Sequence, residues 1–396
     1  MQVYWVWLSM LAGISARQKL ELLDCFSSPK ELYLRAEEVP EAYAQALSNT
    51  DLTQARAIVK ECEAKEIGIL GITDSGYPSR LRDISDPPLV LYYKGVLPDF
   101  EEQPAIAVVG TRRATPYGLK ISRRMSREMA ACGALVVSGG AKGVDSVSHE
   151  GALRAGGQTV AVLGCGVDIV YPRGNRKLFE QIVKNGCLIS EYLPGTGPKP
   201  WQFPERNRII SGISNAVLVV EAPEKSGALI TATDAMEQGR NVFAVPGNID
   251  SESCRGSNAL LQTGASAALS GWDVVGEYEA LYPETVRRQQ PEIADEPPAY
   301  AVEVAQETTF PRLHDDKKDI DNPASRPYSV LNDGHALLSD EEQRLMACLD
   351  SAPRPVDEVI AQADIPAARV LSLLTKLALK GLVTNHPGRM VSANKQ

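Results

Sequence analysis

None of the seven cysteines falls in a CxxC pair or at metal-ligand spacing, so neither a disulfide scaffold nor a zinc module accounts for this chain. Scattered single thiols fit a reducing compartment, so buried cysteines, no bound metal and a cytoplasmic setting are expected. Net positive charge is missing too: the formal charge is −9, with a pI near 5.2. No global field advertises a polyanion partner, and any nucleic-acid site has to be a local basic patch on an acidic protein. Nor is there a bilayer-length apolar run. The start, MQVYWVWLSMLAGIS, is too short, lacks a basic leader and a clear cleavage site, and reads as a core helix; no membrane role is expected. Neither GxGxxG nor GxxxxGK[ST] occurs, so no dinucleotide or ATP cofactor is expected.

What is present divides the 396 residues into segments of different texture. Residues 1–65 predict helices, with Leu20, Leu22, Leu23 and Phe26 on repeating turns. LAGIS followed by FSSPKEL is similar to part of a helix-hairpin-helix, without the second glycine of its turn, so a small SAM-like or helix-hairpin-helix-like packing domain is expected. From 66 to 283 short β-branched runs alternate with helical patterns: IGILGI, LVLYYKG, AIAVVG, ALVVSGG, TVAVLGCG, CLISEY, AVLVVEA and NVFAVPG. Such non-alternating strands specify an α/β fold with a parallel sheet covered on both faces. Residues 284–337, rich in Pro, Glu, Asp and Gln, have the composition of a disordered linker. Order resumes at 338–396 with a capping-box pattern, Ser339 with Glu342, then two further helices and a hairpin, which together predict a winged helix.

Five clusters could carry chemistry, and each follows a strand. AIAVVGTRRAT stops an apolar run at Gly110 and continues with Thr111, Arg112 and Arg113, the pattern of a strand that delivers backbone amides and cations to a phosphate. Between 105 and 127 there are six basic residues and no acid; Lys120, Arg123, Arg124 and Arg127 lie outside the apolar stripe of their helix and read as a solvated face. SGGAKGVDSVSHEGAL places Gly139, Gly140 and Gly143, with Lys142, where a backbone or phosphate can approach closely. Its Asp145 and His149 read as a helix-start and packing pair. GCGVDIVYPRGNRKL carries Arg173, Asn175 and Arg176 after Tyr171 and Pro172, and PKPWQFPERNRIISGIS sets Trp201 and Phe203 beside Arg206, Asn207 and Arg208. Rings to stack on bases and guanidinium forks for phosphates suit a single strand of nucleic acid. EAPEKSGALITATDA offers Lys225, Ser226 and Gly227 at a helix start, where amides and a hydroxyl can meet an anion. In a parallel sheet all five converge on the carboxyl edge.

Taken in order, these motifs, together with YPSRLRDISDPPLVLYYKG and GSNALLQTGA, resemble the DNA-processing protein A family (DprA, also called Smf) over about residues 70–270. The resemblance implies an extended Rossmann-like fold, a homodimer that binds single-stranded DNA, protects it and helps load the recombinase RecA during natural transformation, without catalysis. By motif, it implies DNA contacts at Gly110, Thr111 and Arg112, at Arg173 and Arg176, at Phe203, Arg206, Asn207 and Arg208, with Lys225, Ser226 and Gly227 completing the pocket. Gly140 stands where the family more often has leucine. Within 338–396 acids and bases balance at seven each, which leaves duplex binding and protein docking both open for the winged helix. The competing class is a Rossmann-like nucleotide phosphoribohydrolase; its PGGxGTxxE signature has only SGALITATDA as a counterpart here, without the glutamate.

Overall fold

The computed structural model describes residues 1–289, 339–350, 352–363, 365–379, 382–386 and 390–394. Most of the expected linker, 290–337, lies outside the described residues.

Nine strands form one sheet: β1 (Gly68–Gly71), β2 (Val90–Gly95), β3 (Ala105–Val109), β4 (Leu135–Ser138), β5 (Thr159–Val162), β6 (Cys187–Ser190), β7 (Ala216–Val219), β8 (Asn241–Ala244) and β9 (Ser266–Ala267), in the order β1-β2-β6-β5-β4-β3-β7-β8-β9. Seven strands run parallel. These are the expected parallel core, to which an antiparallel edge is added: β2 pairs antiparallel with both β1 and β6, with Tyr92 opposite Ser190. The turn-rich segment after β1 holds only a one-turn helix, Ser79–Arg82, too short for a crossover that would keep the strand direction, and the chain returns antiparallel.

Side chains of β3 show why its sequence does not alternate in polarity. Ala105, Ala107 and Val109 enter one core with Ile209, Ile213 and Ala232, while Ile106 and Val108 enter a second with Met125, Met129 and Phe243. Both faces are buried, so every position along the strand is apolar.

Five helices precede the sheet: α1 (Gln2–Met10), α2 (Ala16–Cys25), α3 (Pro29–Leu34), α4 (Glu41–Leu47) and α5 (Thr53–Ala64). Ser15 caps α2 in a capping box with Gln18. These helices share a core with β1 and β2: Trp5 packs at Gly71, where an added Cβ would lie 3.1 Å from the indole. Between the strands lie α6 (Ser79–Arg82), α7 (Pro116–Ala131), α8 (Val144–Arg154), α9 (Arg176–Asn185), α10 (Gln202–Ile213), α11 (Gly227–Glu237), α12 (Arg255–Gln262) and α13 (Trp272–Val275). α10 begins five residues before its expected start at Asn207. Pro204 falls in the first turn, where its missing N–H has no intrahelical partner to lose. The packed chain extends to Val286, and Thr285 Oγ1 donates to Glu102 O at 2.7 Å, so the first residues of the expected linker belong to the core.

Beyond residue 338, α14 (Asp340–Ala347), α15 (Val356–Ala363) and α16 (Ala367–Leu379) accompany a small sheet, β10 (Arg354–Pro355), β11 (Val383–His386) and β12 (Met390–Ala393), ordered β10-β12-β11. The capping box read from Ser339 and Glu342 is present. Val359, Val370, Leu373, Leu377 and Val391 form this module's own core. α16 packs against α11. Its two cations both face carboxylates: Arg369 meets Glu341 at 2.8 Å, and Lys376 lies 3.6 Å from both Glu237 and Glu342.

Five of the seven cysteines are buried. Among the described residues no helix is long and apolar enough to cross a membrane.

Candidate nucleic-acid interface

The chain steps outward from β3 through β4 and β5 to β6, then returns to the other flank of β3 as β7. That reversal opens a crevice at the carboxyl ends of β3 and β7, where open α/β sheets bind ligands. Along the edge the loops stand in the order 191–201, 163–175, 139–143, 110–115 and 220–226, so the topology places all five sequence clusters side by side.

Backbone contacts lock the two loops at the crevice together. Thr111 N donates to Glu221 O at 2.7 Å and Val144 N to Thr111 O at 3.3 Å. Gly143 has φ +81°, and an added Cβ would lie 2.5 Å from Thr111 O, so only glycine lets the two loops approach this closely. Glu221 is 1 % exposed, and its carboxylate accepts from Thr115 N at 3.1 Å and from Thr115 Oγ1 at 2.9 Å. Thr115 Oγ1 in turn caps α7 by accepting from Gly118 N. Glu221 therefore sets the path of the 110–115 loop and sends Arg112 and Arg113 outward, where both are exposed. In the sequence, Glu221 is marked only as an acid that ends a buried strand.

The RNR triplet divides into three fates. Arg206, expected to face DNA, is 3 % exposed and lies under the glycine loop, where its guanidinium donates to Gly139 O at 2.8 Å and to Val162 O. Asp145 sits beside it and accepts from Ala141 N at 3.3 Å. An added Cβ at Gly139 would come within 2.7 Å of both Arg206 Nη2 and Asp145 Oδ2, which explains that glycine. Burial pushes the Asp145 carboxyl up, against the pull of the Arg206 charge. Burial also lowers Arg206 to about 10, which leaves it protonated at neutral pH. Asn207 is buried and donates to Gly227 O at 3.2 Å. Arg208 is paired with Glu191 at 2.7 Å and Asp86 at 3.2 Å.

His149 turns away from Asp145, bonds Thr159 Oγ1 through Nδ1 at 2.7 Å, and is driven by burial to about 3, so it is a neutral core residue. Asn175 Nδ2 donates to Gly140 O and Ser146 Oγ, each at 2.9 Å, and thereby pins the 171–176 loop to the glycine loop. Gly140 has φ +64°, and an added Cβ would lie 3.1 Å from the Phe179 ring, so a leucine would be strained here. The Ser226 hydroxyl caps its own helix by accepting from Ala228 N at 3.3 Å.

Trp201 and Phe203, neighbours in the sequence pattern, are separated by the start of α10, where two residues subtend roughly 200°. Phe203 rests on Gly164, with the Arg112 guanidinium over its ring at 5.4 Å and Tyr171 at 5.4 Å. Trp201 instead meets Tyr192 edge-on at 6.2 Å and Lys199 at 5.8 Å. Its side of α10 borders a cavity of about 400 Å³ lined by Asp86, Glu191, Tyr192, Glu205 and Arg208, an acidic wall. On α7, Arg123 pairs with Glu150 and Arg124 with Glu128. The exposed cations on the edge thus include Arg112, Arg113, Lys142, Arg173, Arg176, Lys199 and Lys225.

A family model described as DNA recombination-mediator protein A matches residues 68–279. The chain belongs to this family. A second model, the DprA winged helix domain, matches residues 333–389. Among relatives, Protein Smf of Synechocystis sp. is 36 % identical over 333 residues, covering 83 % of this chain and 81 % of the relative. The DNA processing protein DprA of Bacillus subtilis is 43 % identical over 211 residues, 53 % of this chain and 71 % of that protein. The X-ray structure of DprA from Streptococcus pneumoniae superposes with TM-score 0.61 at 35 % identity, covering 70 % of this chain and 98 % of that one. DNA processing protein A from Helicobacter pylori, studied for its single-stranded DNA binding mode, gives TM-score 0.50 at 31 % identity over 55 % of this chain and 97 % of that one. The family membership, the mostly parallel α/β sheet and the terminal winged helix agree with the motif-based reading.

Proposed function

We propose that this chain is a cytoplasmic, non-enzymatic mediator that holds single-stranded DNA along the carboxyl edge of its sheet, protects it and helps load RecA onto it during DNA uptake, acting as a homodimer. The observation that carries the reading is the row of exposed cations around the β3/β7 crevice, with Arg112 held over Phe203 in an otherwise acidic protein. Arg112, Arg113, Lys142, Arg173, Arg176 and Lys225 take the phosphates, and the backbone of Gly110, Thr111, Gly139 and Gly140 closes on them. Arg206, Asn207 and Asn175 hold the loops that present these groups. Because both cations of α16 are engaged by carboxylates, the winged helix serves as a protein-docking module.

Binding by phosphate neutralisation weakens as salt rises. Six contacts on a single strand give a log–log slope of about −4. Fluorescence anisotropy with labelled oligo-dT and the matching duplex, across a salt series, tests this. Tight, salt-sensitive binding of the single strand over the duplex is expected. No single-strand binding at low salt would overturn the reading.

A further inference from the structure

α15 and α16 follow one another across a short turn, the arrangement of a helix-turn-helix, whose second helix is the one that enters a DNA major groove. One side of α16 belongs to its own module, with Val370, Leu373, Leu374 and Leu377 in the core. The other side is occupied as well. It packs against α11, and Leu371 Cδ1 lies 3.7 Å from where a Cβ on Gly264, in the turn after α12, would stand. Further along α16, Lys376 reaches Glu237 of α11 at 3.6 Å. Ser372 falls between Leu371 and Lys376 around the helix and is fully buried.

One side of a helix cannot lie on α11 and in a groove at the same time. We infer that the winged helix is shielded by its own chain: the side of α16 that meets duplex DNA is seated on α11 and the turn after α12, and a duplex binds it only once that seat is given up. The seat is releasable. Its ion pair joins side chains that are 39 % and 28 % exposed, and pairs so open to water contribute little. A chain that takes duplex only from its undocked fraction shows an affinity lowered by that fraction. This inference names the protein surface on which the winged helix docks. It goes beyond the single-strand reading, because it uses none of the cations on the carboxyl edge.

The test is Glu237→Arg in the full chain, which leaves α16 intact and sets like charges against each other at the seat. Losing an exposed pair shifts an equilibrium by up to about fivefold, and repulsion adds to that. Duplex affinity should therefore rise roughly fivefold or more, and the radius of gyration from small-angle scattering should grow as the module lets go. Glu37→Arg, the same change of charge at an exposed site on the helical domain, should leave both as in the parent. Oligo-dT affinity should be the same in the two variants. An equal gain in duplex affinity for Glu37→Arg would make the effect one of net charge and overturn the shielding. A larger radius without a gain in duplex affinity would overturn it too, as would a Glu237→Arg chain unchanged in both. Failure of the parent to bind oligo-dT refutes the single-strand reading and leaves the duplex comparison standing.

Discussion

Replacing Arg206 by alanine separates a brace from a DNA contact. The guanidinium donates to Gly139 O and Val162 O and faces the buried Asp145, so its removal orphans two carbonyls and leaves a carboxylate without its counter-charge. Removing one partner of a buried pair costs about 3–5 kcal/mol. With ~2.1 cal/mol/K per residue over residues 1–289, the unfolding entropy is ~0.6 kcal/mol/K and Tm should fall by about 5–8 °C. The penalty also depends on pH. Without Arg206 the folded-state pKa of Asp145 rises further above its unfolded value of about 3.9, so the folded state binds the extra proton and the destabilisation grows as pH rises through and above that value. Arg206→Ala with Asp145→Ala together should recover much of the loss, because no unpaired charge remains. Calorimetry from pH 4.5 to 8, alongside oligo-dT anisotropy, reads both effects. An Arg206→Ala chain with the parent Tm but abolished binding would refute the brace and return Arg206 to the DNA surface.

Gly143→Ala puts a side chain at φ +81° against the Thr111 carbonyl, at a cost of about 1–3 kcal/mol of backbone strain. Because the clash falls on the loop that carries Arg112, oligo-dT binding should drop along with stability, and thermal melts plus anisotropy showing neither change would contradict the tight approach of the two loops. Asp234, on α11 beside α16, is raised to about 7 by burial and then by Glu237, with Arg208 and Lys376 opposing. A carboxyl raised in the folded state loses stability between its unfolded pKa and about 7 as pH increases, so Asp234→Asn should stabilise the chain at pH 8 and leave it unchanged near pH 4; denaturant melts at the two pH values check the sign, and a gain confined to acid pH would reverse it.

Much of the molecule is legible locally. β-branched runs ended by glycine at Gly110, Gly139 and Gly164 mark strands and their carboxyl ends, Ser339 with Glu342 marks a helix start, and the alternation of strands with helices implies a parallel sheet whose edge gathers the basic loops. Those signals are written within a few residues, because capping, turn geometry and strand propensity act over that range. Only tertiary structure decided the rest. The antiparallel β1 and β2 depend on which edge the returning chain meets, and the burial of Arg206 depends on Asp145 arriving from another strand-helix unit. The role of Glu221 needs the 110–115 loop beside β7, and the parting of Trp201 from Phe203 needs α10 to begin before Pro204 instead of after it. A cation's place in the sequence shows that it stands near a strand end; whether it reaches solvent or a buried carboxylate is set by neighbours some sixty residues away along the chain, as with Arg206 and Gly139, since burial and pairing are properties of the packed assembly.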